Sequence, residues 1–211
     1  MTEAARGERR LELVSTVLLA LATVATAWAG YQASRWHGEQ AEAQMAATSA
    51  RLESTRASGV ANRQTQIDVA VFIQWVDAYA RGETRLARFY EERFQPRFKP
   101  AFDAWIASKP LQSPAAPLTP FAMPEYRLAS VEQADRLEAE ATAASEEARE
   151  DIDRAENYVL CVVLFAASLF FAGISTRLQT RTAEAAVLGL ACLLFVGTVV
   201  WLATFPVNFA V

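Results

Sequence analysis

Histidine and cysteine, two residue types that enzymes often use for acid–base and nucleophilic chemistry, are scarce in this chain. It has one histidine, His37, and two cysteines, Cys161 and Cys192. Nucleophilic catalysis needs a base close to a hydroxyl or thiol. His37 lies beside Trp36 just outside the first apolar stretch, a position typical of a membrane-surface residue. Both cysteines lie in later apolar stretches at different depths, so they are interpreted as packing residues and not as a disulfide. The sequence therefore predicts no catalytic residue and no enzyme.

Metal, cofactor and nucleic-acid binding have equally little support in the sequence. Acidic side chains are concentrated between residues 146 and 156 and could attract Ca²⁺, but such a run on a helix is more typical of a solvated face. There is no glycine-rich phosphate loop. The net charge is −4, and the arginines are interspersed with acids. We therefore expect no metal, no cofactor and no nucleic-acid partner.

A stripe of small residues follows one face of the first apolar stretch. It consists of Thr16, Ala20, Thr23, Ala27 and Gly30, spaced by three and four residues. Small residues allow close helix–helix packing in lipid, and the alternative is a threonine-lined pore at the axis of an oligomer. Coupled transport is disfavoured, because no apolar stretch has a proline or an ionisable group at its middle.

Both cysteines and the small-residue stripe lie in three long apolar stretches, residues 11–30, 157–174 and 185–205. They contain no charged residue except Glu12, and each is about 18 to 21 residues long. A helix of that length, rising ~1.5 Å per residue, crosses ~30 Å of hydrocarbon. The sequence therefore predicts an all-α membrane protein with three transmembrane helices.

The first stretch has a second interpretation as a cleaved signal peptide. Three arginines precede it within residues 1–10, and Ala27-Trp28-Ala29 has the form of a cleavage site. The stretch is longer than a usual signal-peptide core, and no turn signal follows Gly30. We therefore expect it to be retained as a helix.

The basic residues beside the stretches predict an orientation. The tail 1–10 holds three arginines and the loop 175–184 holds two, whereas residues 31–156 place only Arg35, Arg149 and Arg154 near the membrane. By the positive-inside rule, the tail and the loop are cytoplasmic, and residues 31–156 and 206–211 lie outside. The expected location is the inner (plasma) membrane.

Two alanine-rich heptad patterns occur in residues 31–156 and indicate a helical stalk. The first places small or polar residues every seven positions, and the second does so before the second apolar stretch: Ala33, Gln40, Ala47, Ser54 and Ala61, then Ala134, Ala141, Ala148 and Ala155. They predict an extracytoplasmic antiparallel helical hairpin. Each buried alanine contributes about 1 kcal/mol or less, so we expect the stalk to pack against copies of itself as a homo-oligomer.

Glycines and prolines predict where the helices of this segment begin and end. The first arm is expected to run to Arg81 and reverse at Gly82, with Gly59 as the competing break. A return helix over residues 83–95 and a short helix over 100–108 follow, then a proline-rich loop over 109–123. The second arm is expected to begin at Pro124, with proline in the first helical position.

The segment between the two arms is richer in aromatic residues and predicts a small helical head. The stretch before Gly82 is apolar nearly all round its helix, which indicates either the core of the head or a surface for another protein. The candidate interaction surface consists of Val69, Phe72, Trp75, Val76 and Tyr79.

Four segments resemble an uncharacterised family of bacterial membrane proteins with one N-terminal span, a long outer hairpin and a C-terminal pair of spans. They are WAGYQA (28–33), FYEERF (89–94), FAMPEYRL (121–128) and FFAGIS (170–175). The resemblance implies the same architecture and transfers no functional residue.

Together these patterns favour a non-enzymatic membrane scaffold or interaction subunit that contacts copies of itself or an unidentified membrane or extracytoplasmic protein. The alternatives are a homo-oligomeric ion channel, lined by the small-residue stripe, and a sensory subunit that signals through a partner.

Overall fold

The structure, a computed structural model, describes residues 3–110, 112–113 and 115–208. Its five α-helices are α1 (Glu3–Ala80), α2 (Thr84–Glu91), α3 (Lys99–Ala107), α4 (Ala129–Ser175) and α5 (Arg181–Leu202), with a 3₁₀ turn at Pro120–Ala122. Throughout these described ranges there is no strand, and the prediction of an all-α protein is confirmed.

Three of the helices are long and apolar enough to cross a membrane, namely α1, α4 and α5. The first two apolar stretches lie wholly within α1 and α4, whereas α5 ends at Leu202 and the predicted end of the third stretch at residue 205 is wrong. Lipid offers no hydrogen-bond partners to a backbone, so a helix is the form in which such a stretch can cross a bilayer. The loop between α4 and α5 covers residues 176–180, which is shorter than the predicted 175–184.

The first apolar stretch and the arm after it form one unbroken helix, as predicted. Gly59 lies inside α1, so the competing break there is wrong. The helix ends in a Schellman motif, in which Glu83 N–H bonds Ala78 O and Gly82 N–H bonds Tyr79 O, both at 3.0 Å. Gly82 has a φ of 74°, a left-handed conformation that glycine adopts without a Cβ clash.

The predicted start of the second arm at Pro124 is wrong, since α4 begins at Ala129. Pro124 instead follows the first residue of a turn closed by a 3.0 Å bond from Tyr126 N–H to Met123 O, a position for which proline is suited. The return helix is also shorter than predicted, because α2 ends at Glu91. The short helix near Pro100 is confirmed as α3, with proline in its first turn.

The chain divides into two compact units. We call the first the span unit; it comprises the described residues up to Met45 and from Ala144 onward. The second, from Ala46 to Ala143, is the aromatic unit.

The span unit is packed largely through small side chains. Ala22, Ala29, Ala172 and Ala191 have no exposed surface, and Cys161 is buried among Ala29, Ala33, Tyr158 and Phe165 as a free thiol. Two buried serines bond the backbone of another helix, Ser15 Oγ to Ala172 O at 3.2 Å and Ser168 Oγ to Ala191 O at 2.9 Å. Small residues bring the backbones close enough for these bonds.

The heptad alanines are buried in both units. In the span unit these are Ala33, Ala148 and Ala155; in the aromatic unit they are Ala47, Ala61, Ala134 and Ala141. Ser54 takes the same register and donates from Oγ to Ala134 O at 3.0 Å, which ties α1 to α4 within the aromatic unit.

Candidate functional site in the aromatic unit

A cluster of aromatic rings forms the core of the aromatic unit. Phe72 lies at its centre, with edge-to-face contacts to Phe98, Trp105 and Phe121 at centroid distances of 5.5–6.0 Å. Trp75 packs edge-to-face on Phe102 at 4.8 Å. The rings come from α1, from α3 and the residue before it, and from the 3₁₀ turn, and they hold these elements together.

Some residues of the predicted interaction surface are buried in this core and others are exposed. Phe72 and Trp75 are less than a tenth exposed, so the interpretation as the head's own core holds for these two residues and they are not a free surface. Val69 is half-buried. Val76 and Tyr79 remain open, with 40% and 54% of their surface exposed.

An apolar groove lies beside the two open residues, between the last turns of α1 and the end of α3. Its volume is about 240 Å³, and it is lined by Trp75, Val76, Tyr79, Trp105, Ile106, Lys109, Pro110 and Gln112. Trp75 and Tyr79 stack at a centroid distance of 5.1 Å. The Trp105 indole N–H donates to Pro117 O at 2.8 Å, which fixes the ring that forms the second wall. The predicted interaction surface includes the lining residues Trp75, Val76 and Tyr79 of α1 and none of those at the end of α3.

Lys109 lines the groove and has an unusual backbone conformation. It is the one non-glycine residue with a positive φ, 52°, in the described part of the chain. Its N–H bonds Ile106 O at 3.0 Å, and its carbonyl accepts from Gln112 and Ser113 N–H at 2.9 and 3.0 Å. Lys109 is therefore the first residue after the C-cap of α3, the position that Gly82 occupies at the end of α1.

A buried charged network, which the sequence patterns missed, supports the aromatic core. Asp68 accepts from Arg97 through Nε at 2.8 Å and Nη2 at 3.0 Å, and from the Tyr126 hydroxyl at 3.0 Å. The Tyr126 hydroxyl also lies 3.3 Å from Thr65 Oγ1. Burial raises the pKa of Tyr126 above its ordinary value, because a phenolate would lose hydration there. Asp68 lies seven residues after Ala61 and seven before Trp75, which are both buried. This heptad spacing is the sequence signal that could have predicted a buried Asp68.

A second polar cluster fastens the residues that follow α5 within the span unit. The side chain of Gln32 is fully buried and bonds Asn208 twice, Nε2 to the carbonyl at 3.2 Å and Oε1 from the N–H at 3.0 Å. The Tyr158 hydroxyl donates to Pro206 O at 2.9 Å. The predicted outer tail 206–211 is therefore held, up to residue 208, by side chains of α1 and α4; residues 209–211 lie outside the described ranges.

The small-residue stripe is exposed at all five positions, Thr16, Ala20, Thr23, Ala27 and Gly30. The Thr16 and Thr23 hydroxyls bond carbonyls of their own helix, Glu12 O at 2.9 Å and Leu19 O at 2.7 Å. Packing inside one chain instead uses Ser15, Leu18 and other buried residues of α1. A role of the stripe between copies stays a prediction.

The remaining residues considered for chemistry are His37 and the acidic run at residues 146–156. His37 is exposed, and within the described ranges no group of three His, Cys, Asp or Glu side chains is placed to hold a metal ion. Asp151 departs from the expectation that the acidic run is a solvated face: it is buried and bonds Arg154 at 2.7 Å. The Arg154 guanidinium in turn lies 4.9 Å from the Trp36 ring centroid.

Fold and geometry define an all-helical protein with three helices suited to span a membrane and an aromatic unit that carries an apolar groove. No protein-family model, no curated protein and no solved structure matches the chain. The resemblance to an uncharacterised bacterial family stays a prediction, and no residue role is transferred from it.

Proposed function

We propose that this protein is a non-enzymatic integral membrane scaffold or interaction subunit whose contact surface lies on the aromatic unit. The observation that carries the proposal is the exposure of Val76, Tyr79 and Ile106 around the groove, 40%, 54% and 42% respectively. Their neighbours Trp75 and Trp105 are already in the core, so the exposed side chains are held in place by a rigid support. Apolar residues gathered at such a place are typical of a protein-contact site.

The orientation belongs to the same proposal. Residues 31–156 form an antiparallel helical hairpin on the outer side of the inner (plasma) membrane, with the head at its end and the tail and the loop between α4 and α5 in the cytoplasm. The arginine distribution supports this orientation. Labelling with a membrane-impermeant maleimide tests it: intact cells should label Leu118→Cys in the aromatic unit and leave Thr176→Cys unlabelled until they are lysed. The reverse pattern would exclude this orientation.

Site-specific photo-crosslinking tests the contact surface. A photoreactive phenylalanine analogue at Tyr79 should give a defined crosslinked product, either with a second copy or with another protein. Leu118 is the matched control, because it is apolar and 95% exposed but does not line the groove. The same analogue is placed in turn at Val76 and Ile106. Absence of a crosslinked product at all three positions would contradict the proposal.

The second candidate function is an ion-conducting oligomer, and the exposure of the small-residue stripe favours it. A pore lining must face away from its own chain's packed helices, as Thr16 and Thr23 do. Planar-bilayer recording separates the two functions. Reproducible unitary currents that Thr23→Leu abolishes would favour the channel, whereas silence of the purified protein favours the scaffold.

A further inference from the structure

We propose that the groove binds the C-terminal end of a partner polypeptide, with its last apolar side chain inside and its carboxylate at Lys109. This inference rests on the proposed function as an interaction subunit and names the chemistry of the partner. Capture of a free C-terminal carboxylate is an established mode of peptide recognition.

The groove has the size and lining for one large apolar side chain. Cavities of ~150 Å³ with apolar walls accept a benzene molecule, and this groove measures about 240 Å³. Its walls are aromatic and aliphatic, with Trp75 and Tyr79 on one side and Trp105 and Ile106 on the other.

The charge in the lining of the groove favours a carboxylate. Lys109 is the one cation among the described residues that line the groove, and no acidic side chain lines it. The neighbouring Gln112 contributes an amide that can donate to the second carboxylate oxygen. An apolar groove with one cation in its lining is complementary to an apolar group that ends in an anion.

The backbone at Lys109 gives a second reason to assign a function to this residue. The ends of α1 and α3 both place the residue after the cap in the left-handed conformation, and only α1 uses glycine there. A lysine in this conformation is less favourable than a glycine. The unfavourable conformation at a residue that lines the groove is consistent with a functional role of the Lys109 side chain.

The test uses two probes that differ only in the anion, N-acetyl-phenylalanine and N-acetyl-phenylalaninamide, titrated into the purified full chain with tryptophan fluorescence as the readout. The acid should bind about threefold tighter than the amide, as expected for a partly solvated ion pair. Lys109→Gly keeps the backbone conformation and removes the charge, so it should abolish the difference and raise the Tm. Lys109→Arg should keep the difference, and Ile106→Trp should block both probes by filling the groove.

Equal binding of acid and amide, no binding of either, or binding that survives Ile106→Trp would overturn the inference. Each of these results leaves the photo-crosslinking test at Tyr79 intact, so failure of the inference is distinguishable from failure of the proposed function. Lys99→Gln is the control for general loss of positive charge, because Lys99 pairs with Glu91 and Asp103 and does not line the groove.

Discussion

At the scale of single residues, Asp68 is the buried charge on which the aromatic unit depends. Its side chain is 1% exposed, and that of its partner Arg97 is 24% exposed. Removal of one member of such a pair leaves the other without its counter-charge, which costs far more than loss of a surface pair. We expect Asp68→Ala to lower the free energy of unfolding by about 3 kcal/mol.

The control for Asp68 is an ion pair of similar length at the surface. Asp77 and Arg81 lie 3.0 Å apart, and both side chains are more than half exposed. Asp77→Ala should cost no more than about 0.5 kcal/mol. Denaturant unfolding of the full chain, monitored by the near-UV circular dichroism of the aromatic core, measures the effect of both variants. Equal losses of stability would show that the buried pair of Asp68 and Arg97 does not stabilise the aromatic unit more than a surface pair does.

We expect the ionisation of Tyr126 to make the stability of the aromatic unit depend on pH. Its folded pKa lies above the ordinary value of 10.0 because burial disfavours the phenolate. Above about pH 10 the unfolded chain releases this proton while the folded chain keeps it, so stability is complete below that pH and falls as the pH rises. Tyr126→Phe should cost about 1 kcal/mol at neutral pH and make the decline shallower.

Melting temperatures of wild type and Tyr126→Phe between about pH 8 and pH 11 check this prediction. The ring contacts of Tyr126 with Phe98 and Phe121 are kept in the variant, so the comparison isolates the hydroxyl. Parallel pH curves for the two proteins would contradict the assignment of the decline to Tyr126.

At the scale of elements, Gly59 inside α1 and Gly82 just after its end should respond in opposite directions to the same substitution. Gly82 ends the helix at a φ of 74°, where an alanine is strained even though its Cβ would meet nothing within 4 Å. Gly59 lies inside the helix, and a Cβ there would be 3.7 Å from an Arg63 side-chain nitrogen, an ordinary contact.

We therefore expect Gly82→Ala to destabilise by about 1 kcal/mol and Gly59→Ala to stabilise by about 0.5–1 kcal/mol. Thermal unfolding of the two variants beside the wild type gives the signs directly. A stabilised Gly82→Ala would mean that the Schellman motif does not end the first arm.

At the scale of the whole molecule, we predict self-association. The heptad alanines of α1 and α4 are buried, but each adds only about one methyl group of hydrophobic stabilisation, while Val76, Tyr79 and Ile106 remain exposed. Mass measurement in nanodiscs should give a defined homo-oligomer. Tyr79→Asp should lower the oligomer fraction and Leu118→Asp should not, whereas a helical monomer at all concentrations would refute the prediction.

The sequence alone determined the features that depend on neighbouring residues. The three apolar stretches became helices because lipid leaves the backbone no other partner, and the heptad spacing placed Ala47, Ala61 and Ala141 on buried faces. Gly82 predicted the end of α1 because the left-handed cap excludes most side chains without help from distant residues.

Only the tertiary structure decided what depends on contacts between distant residues. It selected Arg97 among many arginines as the partner of Asp68. It also placed Pro124 in a turn two residues before Tyr126, whose hydroxyl bonds Asp68. It also divided one apolar face of α1 into a buried Trp75 and an exposed Tyr79, since α3 covers only part of that face. Helix periodicity gives the direction in which a side chain points, whereas the packing of another element decides whether that side chain is core or contact surface.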